Sequence, residues 1–165
     1  MARYDASSAE IIVLSFKDGL LSAVAHDLKL KATKFTLEIE GNAARLELDA
    51  SSLRVVSAMK EGVEAPWVLS NSKFGEIEKN AAQEVLQSQR YGLIQFVSTE
   101  VSERVVVGLL TLHGQTHEVR GSRSGNTVEF RVDQRRFGIK PFSAMWGALK
   151  VKPEVVVVVK VGPSP

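Results

Sequence analysis

Cysteine is absent from the 165 residues. That excludes disulfide staples, thiolate nucleophiles and cysteine-ligated zinc. Neither charge sign is in excess: 21 basic and 19 acidic side chains leave a formal net charge of +2. Such a balance gives no electrostatic footprint for nucleic acid or an acidic membrane surface. Long apolar runs are missing too. Nothing approaches the ~18 consecutive apolar residues of a membrane-spanning helix. The run from Ile11 to Leu14 is too short for the core of a signal peptide. Taken as a native start, the N-terminus reads as cytoplasmic, or as periplasmic if a leader preceded it. Sequence signatures of catalysis are also lacking: there is no G-x-S-x-G, phosphate loop, dinucleotide fingerprint or H-E-x-x-H. The expectation is a protein that is not an enzyme and needs no cofactor.

What is present suits one globular domain spanning residues 1–165. Hydrophobic residues make up 44% and charged residues 24%, near the average for such domains. Most of the chain alternates with period 2. Residues 9–16 read as a strand ending at Asp18-Gly19, a turn signal. Residues 28–40 read as a long strand with a defect. Apolar residues first fall at even positions (Leu28, Leu30, Ala32), then at odd ones (Phe35, Leu37, Ile39). A bulge or bend near Thr33-Lys34 is needed to switch the parity. Gly41-Asn42 then turns into a strand at 43–49. From Leu93 onward, strands at 93–101, 104–113, 116–123 and 127–133 are joined by short links, the pattern of an antiparallel meander. Residues 154–161 make a last strand containing five consecutive valines.

Between these regions lies the one predicted helix, 72–88. Phe74, Ile77, Ala81, Val85 and Leu86 share a face. Glu76, Glu78, Lys79, Gln83 and Gln87 fall mostly opposite, and Asn71 or Ser72 is placed to cap. About eight strands and one helix favour a closed antiparallel barrel, since closure removes exposed edges. An eight-stranded barrel is just wide enough either to fill with its own side chains or to hold one small ligand. In residues 104–112 both strand faces are apolar, so the outer face requires a cover or a partner. The pattern alone leaves two readings open: a ligand-holding barrel, and a filled barrel acting as a structural or interaction module, as a dimer.

Several segments, in order along the chain, resemble the YceI-like family. Gly108-Leu109-Leu110-Thr111-Leu112-His113-Gly114-Gln115-Thr116-His117-Glu118-Val119 is similar to its G-x-L-T-L-x-G-x-T-x-x-V signature. Gln134-Arg135-Arg136-Phe137-Gly138-Ile139 resembles its aromatic-Gly-Ile turn. Residues 76–98 look like its helix and following strand, with Gly92 where the family often has proline. Ala25-His26-Asp27-Leu28 resembles a branch carrying A-H-D-L. The resemblance implies a lipocalin-like antiparallel barrel of eight strands with a helix at one side. It also implies an isoprenoid or other long apolar lipid as the partner, held without catalysis. Burying each isoprene unit removes about five carbons from water, at roughly 0.8 kcal/mol per carbon.

On this basis Leu37, Leu46, Phe96, Leu110 and Phe130 are the inward residues expected to contact a lipid tail. His26 is expected to offer a polar contact to a headgroup. As a neighbour of Asp27 in an extended chain it points away from it, so a direct catalytic dyad is disfavoured. Phe142 and Trp146, with Met145, form an apolar cluster in the 138–149 loop, expected to act as a lid, a plug or a dimer contact. His113 and His117 flank the Gly114-Gln115 turn. With Glu118 they fall short of the three or four ligands a metal needs, so no metal is expected and a solvated pair is the preferred reading. Arg135-Arg136 reads either as a headgroup grip or as a solvated face.

Overall fold

A computed structural model describes residues 1–18, 26–144 and 149–162. Along the chain the strands are β1 (Ala2–Tyr4), β2 (Ala9–Ser15), β3 (Lys17–Asp18), β4 (Asp27–Ala32), β5 (Phe35–Glu40), β6 (Ala43–Asp49), β7 (Leu53–Lys60) and β8 (Val63–Glu64). The helix α1 (Phe74–Asn80) follows, preceded by a 3-10 turn (Asn71–Lys73) and continued by a π turn (Ala81–Val85). Then come β9 (Leu93–Val101), β10 (Val105–Leu112), β11 (Gln115–Ser124), β12 (Thr127–Asp133), a 3-10 turn (Gln134–Phe137), β13 (Ser143–Ala144), β14 (Leu149–Val151) and β15 (Glu154–Val161).

Among the described residues, twelve of these strands make one antiparallel sheet in the order β1-β5-β6-β9-β10-β11-β12-β15-β2-β4-β7-β8. β13, β14 and β3 form a small separate sheet. In the large sheet, β4 and β5 are two halves of a single run, separated only by the bend at Thr33-Lys34. The ladder that leaves β5 through β6 and β9 returns through β15 and β2 to β4. A sheet whose flanks share one segment must curl, and the bend permits this. Its partner is the 49–52 turn. Thr33 N–H donates to Ser52 O at 3.0 Å, Asp49 N–H donates to Lys34 O at 3.0 Å, and the Thr33 hydroxyl reaches Ser52 O at 2.8 Å. Asp49 holds that turn by accepting from Ser51 N–H at 2.8 Å and from the Ser51 hydroxyl at 2.6 Å.

Two bulges add to the coiling. The β4–β7 pairing skips Val56, and the β9–β10 pairing skips Thr99. Each extra residue bends its strand and raises the local twist. At the first bulge the ladder leaves Val55 N–H to be met from outside, and Glu78 Oε2 on α1 accepts it at 2.9 Å. That bond ties the helix to the sheet.

The strands at 9–15, 43–49, 93–101, 127–133 and 154–161 match the sequence pattern to within a residue. The parity switch at Thr33-Lys34 is the observed bend. Three expectations need correction. β7 has no counterpart in the alternation pattern, because its bulge breaks the period and helix-side packing buries Val55, Ser57 and Ala58 together. The helix widens at its end, with Leu86 N–H bonded to Ala81 O, and neither Asn71 nor Ser72 caps it. Instead the Ser70 and Ser72 hydroxyls bond each other at 2.8 Å. The 138–149 segment is not a plain loop, since β13 lies in it and β14 begins at its last residue.

Aromatic rings fill the places where the curled sheet lacks a Cβ. A Cβ on Gly108 would stand 2.4 Å from the Phe96 ring and 2.5 Å from the Val97 carbonyl oxygen. A Cβ on Gly121 would stand 2.7 Å from the Phe130 ring. The two rings meet edge to face at 5.6 Å, a favoured aromatic geometry.

Three outcomes follow from these contacts. Glu78→Ala should lower stability by about 1–2 kcal/mol in urea unfolding, because it strands a half-buried amide that had a charged acceptor. Gly108→Ala should cost about 1–3 kcal/mol as an overpacking substitution. Adding Phe96→Leu should not restore it, because the Val97 carbonyl cannot move aside. The Ser51 hydrogen bonds, hydroxyl first and then backbone, hold the Asp49 carboxyl below its ordinary value. A depressed folded value means that its contribution is present above the ordinary value of 3.8 and is lost as the pH falls through the lowered one. Asp49→Asn should therefore flatten the acid limb of a stability-against-pH curve in that window.

Candidate functional site

The inner face of the curled sheet encloses a cavity of about 1250 Å³. Strands β1, β2, β4, β5, β6, β9, β10, β11, β12 and β15 all contribute to its wall. Most of the wall is aliphatic. Val155, Val157 and Val159 line it on β15, and Ile11 and Val13 on β2. The valine run thus divides between two faces, with Val156 buried on the other one.

The expected tail-contacting residues lie together. Leu37, Leu46, Phe96 and Leu110 are register partners in sequence across β5, β6, β9 and β10, so they form a single row transverse to the strands. Phe130 touches that row through the Phe96 ring. All five line the cavity. The Phe96 and Phe130 rings lie against the wall at Gly108 and Gly121.

On one side of this row, α1 and the π turn lie across one end of the cavity. Lys73, Glu76, Ile77, Asn80, Ala81 and Glu84 face the cavity at the three- and four-residue spacing of one helix face. Glu76 borders the cavity while remaining exposed, as its place on the polar side of the helix predicts. No residue of α1 or the π turn is fully buried; the helix lies over the cavity, and Val85 at its end packs against the cluster that contains Phe96 and Phe137. His26, Phe142, Ser143 and Lys150 line the same end. Asp27 turns elsewhere: its Oδ1 accepts Lys17 N–H at 2.7 Å. The adjacent pair diverges as extended backbone requires. Trp146 and Met145 lie outside the described residues.

The opposite end is formed by the turns around 41–42, 102–104 and 124–126. Asn42, Arg123, Asn126 and Gly162 line it. Arg123 shares strand parity with the lining residue Val119 and is half-buried. It donates from Nε to Gly125 O at 3.0 Å and from Nη1 to Ser102 O at 3.0 Å. Sequence reading did not single it out. Its inward parity on 116–123 was the available signal, obscured by the serines and arginines around it.

The other basic pair does not reach the cavity. Arg135 is held by Asp133, through Nη2 to Oδ2 at 2.8 Å. Arg136 donates from Nη2 to Glu118 O at 3.2 Å and lies over the Phe137 ring. The histidine pair is also not a simple solvated one. His113 is half-buried at positive φ, its Nδ1 lies 3.2 Å from Phe137 O, and its ring packs 4.4 Å from that of Tyr91. Its Nε2 is buried with no hydrogen-bond partner. His117 stands edge-on to Phe137, with Nε2 3.3 Å from Gln115 Oε1. Among the described residues no group of three or more His, Cys, Asp or Glu side chains converges on a possible metal position. No helix among them is long and apolar enough to cross a membrane.

No curated protein matches the chain. Among solved structures, a polyisoprenoid-binding domain from Saccharophagus degradans, implicated in plant cell wall breakdown, shares the fold. The two superpose with a TM-score of 0.53 at 10% identity, over 98% of each chain. The sequence profile of the YceI-like domain matches residues 13–162. That span takes in the bent first run, the helix, the meander and the valine strand, and the chain therefore belongs to the YceI-like domain family.

Proposed function

We propose that this protein binds a long apolar lipid of the isoprenoid type within the curled sheet, to sequester or carry it, without changing it chemically. The observation that carries this reading is the cavity of about 1250 Å³ with its aliphatic wall. Protein interiors are otherwise packed as densely as organic crystals. Without a ligand, water in this space meets a wall that offers it few hydrogen-bond partners, and an apolar chain that displaces the water gains roughly 25 cal/mol per Å² of apolar surface buried. An apolar chain suits this wall far better than water does.

Family membership and the polyisoprenoid-binding neighbour support the same class of ligand. In this reading the row Leu37–Leu46–Phe96–Leu110, with Phe130, grips the tail. His26 and Phe142 meet the chain at the helix end. Each buried isoprene unit would contribute roughly 4 kcal/mol of transfer free energy before association costs. No step of this function needs a nucleophile or a general base. The filled-barrel alternative does not suit an interior that side chains leave so open.

Organic extracts of the purified protein should contain an isoprenoid or similarly long apolar chain by mass spectrometry. The delipidated protein should take up a C20 prenol and melt at a higher temperature with it, as binding to the folded state alone requires. Leu110→Arg, which sets a charge in the middle of the row, should weaken that uptake at least about tenfold. Clean extracts together with no uptake by delipidated protein would overturn the proposal. Circular dichroism shows whether the Leu110→Arg protein is folded. Leu110→Phe, which adds bulk to the lining row without a charge, provides a second variant expected to reduce uptake.

A further inference from the structure

The two ends of the cavity differ in charge. At the helix end the lining holds two cations, Lys73 and Lys150, and two carboxylates, Glu76 and Glu84, all exposed. At the turn end the lining has one charged residue, Arg123, and no carboxylate among the described residues. Arg123 also takes part in no ion pair among them. Its two bonds to Gly125 O and Ser102 O brace the guanidinium between two turns. A guanidinium has five N–H donors and stays charged at any physiological pH, so three donors remain after those two bonds. The side-chain amides of the lining residues Asn42 and Asn126 belong to the same rim.

A fixed cation with spare donors at the end of an aliphatic tunnel complements one kind of amphiphile. The long chain is held by the wall, and its terminal group carries negative charge. Arginine's planar fork matches carboxylate and phosphate oxygens pairwise. The opposite orientation would set the anion near Glu76 and Glu84, where repulsion offsets the lysines.

We propose that the cavity selects lipids with an anionic terminal group, carboxylate or phosphate, and that Arg123 at the turn end receives this group. The inference rests on the lipid-binding reading and adds to it a headgroup class and an orientation.

The test uses delipidated protein and two pairs of probes: geranylgeranyl phosphate with geranylgeraniol, and oleate with oleyl alcohol. Affinities are measured by isothermal titration at fixed ionic strength. The unmodified protein should bind at least one anion about tenfold tighter than its alcohol, and which pair shows the ratio distinguishes phosphate from carboxylate. Arg123→Gln should bring the ratio to about one. Arg123→Lys, which keeps the charge and loses the fork, should retain part of it. Arg120→Gln removes the same charge from an exposed position on β11 outside the cavity lining and should keep the full ratio. Equal affinities for anion and alcohol in the unmodified protein would overturn the proposal while leaving lipid binding intact. So would a ratio that persists in Arg123→Gln, or one lost equally in Arg120→Gln. Failure to bind any of the four probes would overturn the lipid-binding reading itself.

Discussion

The bend at Thr33-Lys34 is the constraint on which the rest of the molecule depends. It lets one extended run pair with β2 and β7 through its first half and with β6 and β1 through its second. Without it, the inward side chains of β4 and those of β5 would lie on opposite faces, because strand parity is strict. With it, Leu28 and Leu30 face the same cavity as Leu37 and Ile39. The bond from Thr33 to the 49–52 turn and the return bond from Asp49 to Lys34 supply the ladder partners that a bend otherwise loses. The bulges at Val56 and Thr99 repeat the device at smaller scale, and Glu78 satisfies the amide that the first of them frees.

Curling creates the cavity, and the glycine–phenylalanine contacts shape it. At Gly108 and Gly121 the wall has no Cβ, so the Phe96 and Phe130 rings lie against backbone and leave more of the interior open. The family signature acquires a physical meaning here. Gly108 admits the Phe96 ring. Leu110 stands in the transverse row. Gly114, at a φ of 73°, carries the Tyr91 ring where a side chain would clash. Val119 is buried beneath the meander. These positions serve the shape of a container, and none of them requires a reacting group.

The helix illustrates the same logic from another side. Its residues follow a helical period, yet none is fully buried. An amphipathic helix commonly packs its apolar stripe into a core. Here the stripe faces the cavity, together with Glu76 and Glu84, so the helix is a cover over the container and not a part of its filling. Its Glu76 and Glu84 are matched in number by Lys73 and by Lys150 of β14, in contrast to the lone Arg123 at the other end.

Much of this architecture was legible from alternation alone. The 28–40 parity switch locates the bend, and alternation sorts Leu37 and Leu46 onto one face of their strands; which face turns inward, above all in 104–112 where both are apolar, alternation leaves open. Those readings depend only on the two-residue repeat of a strand, which is a local property. What alternation could not reveal was β7, whose bulge destroys the period, and the inward placement of Arg123, which polar neighbours mask. Nor could it decide whether the interior was filled or open. The sequence by itself determined an antiparallel sheet with a kinked first run and, where one parity is polar, its apolar face. Only the tertiary structure decided that this face surrounds about 1250 Å³, because cavity volume depends on how far the sheet curls and where rings lie against glycine. Both are set by contacts between residues far apart in the chain.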